Sequence, residues 1–394
     1  MSLTTDPFEF TYRGIDILFG RGRAGEIGDV LAQRDLDRAL IVCGSNVGAN
    51  EELMGPIEAG LGDRLAGTFD ETTPAKRIET AYDGIERMRE VDADVLVGVG
   101  GGSSLDIARQ MSALAADGRS QAEIKSAANE GTFSGIDFSE PVVPVVVVPT
   151  TFAGADVSTG GSLVVLAADE SPTGQPITVS GSVPPIANVA DPAAVETTPL
   201  SALEGSAMNG FDKGIETLYA RESNPFSDAT AIHGLRYLFD AFSNLSTDHP
   251  DAIDRAVLGM LLVQYERKAS IIHAFGHAFA RRYPVQQGHV HAVMAPHVLR
   301  YVLETVDGFE SKFAAAIGAD LADVSSPIDE IVAHVAAVRD SLDVPQQASE
   351  LPGADPDDIP ALAEFVLDDW MMPQAPTELD PTQAEIEAIL EEAW

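Results

Sequence analysis

Asp94-Val-Leu-Val-Gly-Val-Gly-Gly-Gly-Ser-Ser-Leu-Asp-Ile-Ala-Arg109 reads as a buried strand, a glycine turn and the start of a helix. A continuous apolar run ending in glycines suits a strand covered on both faces of a parallel sheet. The glycines let the backbone approach an anionic group, and the following helix N-terminus supplies N–H donors and a positive dipole. A diphosphate is the natural guest, although a tight strand-to-helix turn with close packing produces the same pattern.

Two further runs extend the theme. Arg38-Ala-Leu-Ile-Val-Cys43 ends in Gly44-Ser45, and Pro144-Val-Val-Val-Val148 ends in Pro149-Thr150-Thr151. Helical periodicity lies between them near residues 24–33, 76–90 and 104–115. Strand–helix alternation of this kind predicts an α/β domain built on a doubly wound parallel sheet. After Asp191-Pro192 the patterns turn helical, over 202–219, 226–243, 251–272, 290–304, 310–317, 328–341 and 383–392. The expected organisation is a dinucleotide-binding α/β domain over residues 1–192 and an all-α domain over 193–394, with 344–360 as a surface loop.

Composition bounds the function. The chain has 394 residues and a formal charge of −38, from 62 acidic against 24 basic side chains. Its hydrophobic content of 45% supports packed cores, so the acidity is a surface property and not a sign of disorder. Such a surface repels nucleic acid and suits concentrated salt, which screens the repulsion. No apolar run is long enough to cross a membrane, and the N-terminal residues lack the pattern of a signal peptide. Cys43 stands alone, which excludes an intrachain disulfide and a cysteine-rich metal cluster. A cytoplasmic protein of a halophilic organism is the expectation.

The motifs together resemble the iron-containing (group III) alcohol dehydrogenases. Gly100-Gly101-Gly102-Ser103 with Asp106 and a base at Arg109 is similar to that family's GGGSxxDxAK motif, Phe19-Gly20-Arg21-Gly22 to its FGxG segment, and Val148-Pro149-Thr150-Thr151 to its second cofactor loop. The resemblance runs to about residue 305 and implies the dehydroquinate synthase-like fold, a dinucleotide-binding domain followed by a helical one, in a dimer or higher homo-oligomer. It also implies that Gly100, Gly101, Gly102, Ser103 and Asp106 hold the cofactor diphosphate and nicotinamide side, with Thr150 and Thr151 contacting the cofactor. Many NAD-using members carry an Asp after the first strand; Gly44 stands there here, followed by Ser45. Loss of that carboxylate removes repulsion against a 2′-phosphate, which favours NADP(H) over NAD(H).

The family holds iron or zinc through an Asp and a His four residues apart, and two later histidines. Aligned on Gly214-Ile215-Glu216, those positions are Asn209 and Lys213; the third falls on His273 in Ile271-Ile-His-Ala-Phe-Gly-His277, and the fourth on Gln287. An amide is a poor ligand and an ammonium has no lone pair, so the expectation is a degenerate metal position without an ordinary iron or zinc site. His289 and His291 lie close enough to Gln287 to offer a substitute ligand. Thr150-Thr-Phe-Ala-Gly-Ala-Asp156, Met208-Asn209 and His291 with Pro296-His297 resemble the maleylacetate reductases, from which the chain departs at Lys213 and Gln287.

The activity expected is reduction of a small carbonyl, or oxidation of an alcohol, with NAD(P). Lys213 would stabilise the alkoxide, Asn209 would donate a second hydrogen bond, and His277 would relay the proton. The alternatives are a conventional iron- or zinc-dependent alcohol dehydrogenase, a maleylacetate-reductase-like enzyme, and an NADP-binding protein without catalysis. More plainly, Lys213 could pair with Asp212 or Glu216, and His273 and His277 could be satisfied core residues.

Overall fold

The computed structural model describes residues 8–157, 160–181, 183–245, 249 and 251–394. Its contacts divide the chain into two compact units. One contains residues up to Thr151 together with Ala155–Thr198, and the other contains Phe152–Gly154 and Pro199–Trp394.

The first unit is a seven-stranded sheet. Its strands are β1 (Phe8–Tyr12), β2 (Ile15–Phe19), β3 (Ala39–Val42), β4 (Leu65–Phe69), β5 (Val95–Gly100), β6 (Val145–Pro149) and, after the hairpin β7 (Gly161–Leu166) and β8 (Ile177–Gly181), β9 (Ala187–Ala190). The spatial order is β1-β2-β9-β6-β5-β3-β4, and all pairings are parallel except β1 with β2. The three apolar runs form its centre. Their alternate residues feed two separate cores. Val95, Val97, Val99, Val146 and Val148 pack with the helices Ile27–Ala32 and Glu51–Leu61 on one face. Leu96, Val145 and Val147 pack with Ile78–Glu90, Gly102–Asp117 and Gln121–Asn129 on the other. Burial on both faces is why these strands read as unbroken hydrophobic runs.

Strand order reverses between β3 and β5. From β3 the chain first goes outward to β4 and then returns to the other side as β5. The register pairs Val42 with Gly98, so the loops after both strands open at the same edge of the sheet. This is the topological switch point where open α/β sheets bind ligands.

The described residues of the second unit form helices and turns. The principal helices are Leu200–Tyr219, Pro225–Phe242, Ala252–Gln264, Ile271–Arg282, Gln287–Thr305, Pro327–Asp340, Ile359–Leu367 and Gln383–Ala393. One sequence expectation is corrected. The segment 251–272 is not one helix: it stops at Gln264, and a new helix starts at Ile271. The cause is a carboxylate from elsewhere. Glu216 accepts backbone N–H groups of Ser270, Ile272 and His273, which caps the new N-terminus with an acidic group. Thr217 takes the N–H of Lys268 at 2.9 Å. The segment 344–360 is a mostly exposed loop, as expected, with Ala348 and Leu351 turned inward, and it runs directly into the helix Ile359–Leu367. No helix among the described residues is long and apolar enough to cross a membrane.

Candidate active site

In the sheet unit, Gly101 is the extended N-cap of the helix Gly102–Asp117. Gly100 before it has φ +129°, which requires glycine. The turn is also tight: a Cβ at Gly101 would lie 3.2 Å from Thr151 Cγ2, and one at Gly102 would lie 3.3 Å from Ala155 Cβ. The Thr150 N–H donates to the Gly100 carbonyl at 3.0 Å, so the β6 loop borders the β5 turn. The first N–H groups of a helix lack intrahelical partners, and here they open at the switch point beside half-buried Ser103. Asp106 is one turn in and already engaged, 3.0 Å from Lys76 Nζ, 3.2 Å from Ser162 Oγ and 3.6 Å from Arg109 Nη1.

Gly44 is extended, at φ −89° and ψ 160°, and precedes the exposed Ser45. A Cβ there would stand 3.1 Å from the Thr72 carbonyl oxygen. Thr72 also bonds the Ser104 hydroxyl at 2.7 Å, tying the loops after β3, β4 and β5 together. Nothing in the sequence singled out Thr72, whose part depends on its position after β4.

In the helical unit, Asn209, Lys213 and Glu216 lie along Leu200–Tyr219. The Phe152–Gly154 loop docks on this helix. The Phe152 N–H donates to Ser206 Oγ at 3.1 Å, and Gly210 permits an approach so close that a Cβ would sit 2.4 Å from the Phe152 carbonyl oxygen. This seating brings the Ala153 carbonyl to 2.6 Å from Lys213 Nζ. Lys213 is buried and only 6% exposed; Asn209 is half-buried.

Behind Lys213 lies a buried group of acids and imidazoles. His273, in the first turn of Ile271–Arg282, bonds Glu216 through Nδ1 and through its own N–H at 3.1 Å. His291, on Gln287–Thr305, lies edge-on to His273 with ring centroids 4.5 Å apart, and its Nδ1 is 3.3 Å from Asp212 Oδ2. Burial pushes both histidines well below their ordinary value, with the nearby Lys213 charge adding to it. Burial raises Glu216 to about 7 and lifts Asp212 well above the carboxylate range. A cluster closed off from water favours neutral forms. His273 is then a neutral ring that shares a hydrogen bond with Glu216 through Nδ1, and its buried Nε2 has no partner.

His277 is one turn beyond His273 and differs from it. Its side chain keeps 23% exposure, and Nδ1 is 3.1 Å from each oxygen of Asp369. Gln287 is the half-buried first residue of its helix. Arg281 and Arg282 are both engaged by carboxylates, Asp369 and Asp358 respectively.

Comparison with known proteins gives a consistent result. A family model described as iron-containing alcohol dehydrogenase matches residues 15–185, and one for the C-terminal part of the Fe-containing alcohol dehydrogenase family matches residues 205–394. The NAD-dependent methanol dehydrogenase of Bacillus methanolicus is 25% identical over 366 residues, 89% of this chain and 91% of its own length. Maleylacetate reductase 1 of Cupriavidus pinatubonensis is 25% identical over 378 residues, 95% of this chain and 94% of its own. The solved alcohol dehydrogenase from Oenococcus oeni matches with a TM-score of 0.83 at 19% identity, covering 99% of this chain and all of that one, which is a likeness of fold.

Proposed function

Because the chain belongs to the iron-containing alcohol dehydrogenase family, and is an oxidoreductase by that membership, we propose that it interconverts a small carbonyl compound and its alcohol with NADP(H), using Lys213 in place of a metal ion. The observation that carries this reading is the buried ammonium of Lys213, at a position where the resemblance assigns a ligating histidine. The donor set there does not fit a divalent cation. Asn209 and Gln287 offer weak amide oxygens, Lys213 offers no lone pair, and His273 is the one strong ligand of the four. Among the described residues, no grouping of three or more His, Cys, Asp or Glu side chains has a metal-holding arrangement.

The sheet unit fits a dinucleotide. The cradle at Gly100–Ser103, which a Cβ would crowd, would hold the diphosphate against the helix N-terminus. Nicotinamide bound there would supply or accept the hydride. The absence of a carboxylate at Gly44 supports NADP(H) for this chain, although the Bacillus relative is NAD-dependent by name.

Reduction of a carbonyl leaves negative charge on oxygen. The Lys213 Nζ–H groups stabilise that charge and transfer a proton to it, Asn209 adds an amide donor, and His277 returns the proton to Lys213. In the oxidative direction each proton moves the opposite way. We place the protein as a homodimer or higher oligomer in a salt-adapted cytoplasm, on the resemblance and on the charge of −38.

The test is metal content, measured by mass spectrometry on protein purified in high salt without chelator, together with NADPH oxidation against a panel of carbonyl compounds. Metal-free protein that reduces a carbonyl supports the reading. Stoichiometric iron or zinc would return the chain to conventional metal-dependent chemistry. Metal-free protein that binds NADPH without turnover would make it a binding protein.

A further inference from the structure

Three histidines lie close together in the helical unit, and their surroundings separate them. The side chains of His273 and His291 are 7% and 0% exposed, and both rings sit among groups closed off from water. His277 alone keeps a solvent-facing part. It is therefore the ring that can pass a proton to bulk water, and what holds it matters.

Asp369 is 2% exposed, in the turn that follows the helix Ile359–Leu367. Both its oxygens reach His277 Nδ1 at 3.1 Å. The Met371 N–H donates to Oδ1 at 3.0 Å, and Arg281 Nη2 lies 3.5 Å from Oδ2. Burial alone would raise this carboxyl, but the bond from His277, the Met371 N–H and the charge of Arg281 together hold it below its ordinary value. Next to it, Trp370 is 65% exposed and stacks on the His277 ring, with centroids 5.9 Å apart and planes 24° apart. A large aromatic left in water while covering one face of an imidazole restricts how that imidazole can turn.

An ionised carboxylate only accepts hydrogen bonds, so Nδ1 must carry the proton that Asp369 receives. The second nitrogen, Nε2, is then the one with a free lone pair in the neutral ring. We propose that Asp369 is a positioning residue which fixes the tautomer and orientation of His277, so that Nε2 is the atom that takes and returns the proton during carbonyl reduction. This rests on the relay role given to His277 above. Simple anchoring of the C-terminal segment is not a sufficient explanation for the pair. The same segment is already tied to the Ile271–Arg282 helix by Arg282 on Asp358 and by Arg281 over the Phe365 ring at 5.7 Å.

The first experiment is ¹⁵N NMR of the full-length protein with labelled histidine, with His277→Gln identifying the resonance. The Nδ1–H form is expected at His277, and a predominant Nε2–H form overturns the proposal without any Asp369 variant having to fold. The second is kinetic. Asp369→Asn should lower kcat about 10- to 100-fold, by analogy with the carboxylates that orient metal-bound histidines, while dinucleotide affinity stays unchanged. Asp369→Glu should restore most of the loss. Added to His277→Ala, Asp369→Asn should cost nothing further. Wild-type kcat in Asp369→Asn, or a full additional loss in the double variant, overturns the positioning role alone. Wild-type turnover in His277→Ala overturns the relay itself, and the inference with it.

Discussion

Lys213 donates to the Ala153 carbonyl at 2.6 Å, which ties a buried ammonium to the loop Phe152–Gly154. An ammonium held by a backbone oxygen is oriented before any substrate arrives, and preorganised charge is where electrostatic catalysis gains most. Lys213→Met keeps the length of the side chain and removes its charge. It should lower kcat about 10²- to 10³-fold with NADPH affinity unchanged, as measured by steady-state kinetics and fluorescence titration. A variant with the wild-type rate would remove Lys213 from the mechanism.

The conformation of Gly44 is open to any residue, so the site can accept a side chain, at the cost of a close contact with Thr72. Gly44→Asp places a carboxylate where a 2′-phosphate would be repelled and ribose hydroxyls would be bonded. The ratio of kcat/KM for NADPH over NADH should fall at least about tenfold, equivalent to roughly 1.4 kcal/mol. An unchanged ratio would show that cofactor choice is made elsewhere.

Glu216 shifts from an ordinary 4.5 to about 7 on folding, because burial disfavours its charge. The folded state therefore binds this proton more tightly than the unfolded chain does. The contribution is complete below pH 4.5 and is lost as pH rises towards 7. Glu216→Gln cannot titrate. Wild-type stability relative to this variant should decline between pH 4.5 and 7, by no more than a few kcal/mol, and level off above 7. Denaturant midpoints across that pH range test this, and a difference that does not vary with pH would contradict it.

The net charge of −38 implies self-repulsion that salt relieves. The Debye length falls from about 10 Å at 0.1 M to about 3 Å at 1 M salt. The unfolding temperature should rise steeply with KCl over that range. A flat profile would mean that the acids are already balanced within the fold.

The central sheet was legible because strands buried on both faces must be apolar at every position, as Val95–Val99 and Val145–Val148 are. The helices of the second unit were legible from their 3.6-residue periodicity. The break at residues 265–270 was not, because the group that caps the new helix is Glu216, far back in the chain. The helix Ile359–Leu367 was hidden for a related reason. The Pro- and Asp-rich stretch before it looked like surface, yet Ala348 and Leu351 are buried.

The candidate site divides along the same line. Sequence alone showed the glycine turn, the carboxylate-free Gly44 and a lysine where the family resemblance expects a ligand, because each is a matter of residue type at one place in a motif. Only the tertiary structure assigned their partners: Ala153 to Lys213, Glu216 to His273, Asp212 to His291 and Asp369 to His277. Two of these partners act through backbone or capping geometry that leaves no residue signature, and the last lies 92 positions away. Motifs report which groups are present. Hydrogen bonds and burial depend on distance, and for groups this far apart in the chain only packing determines it.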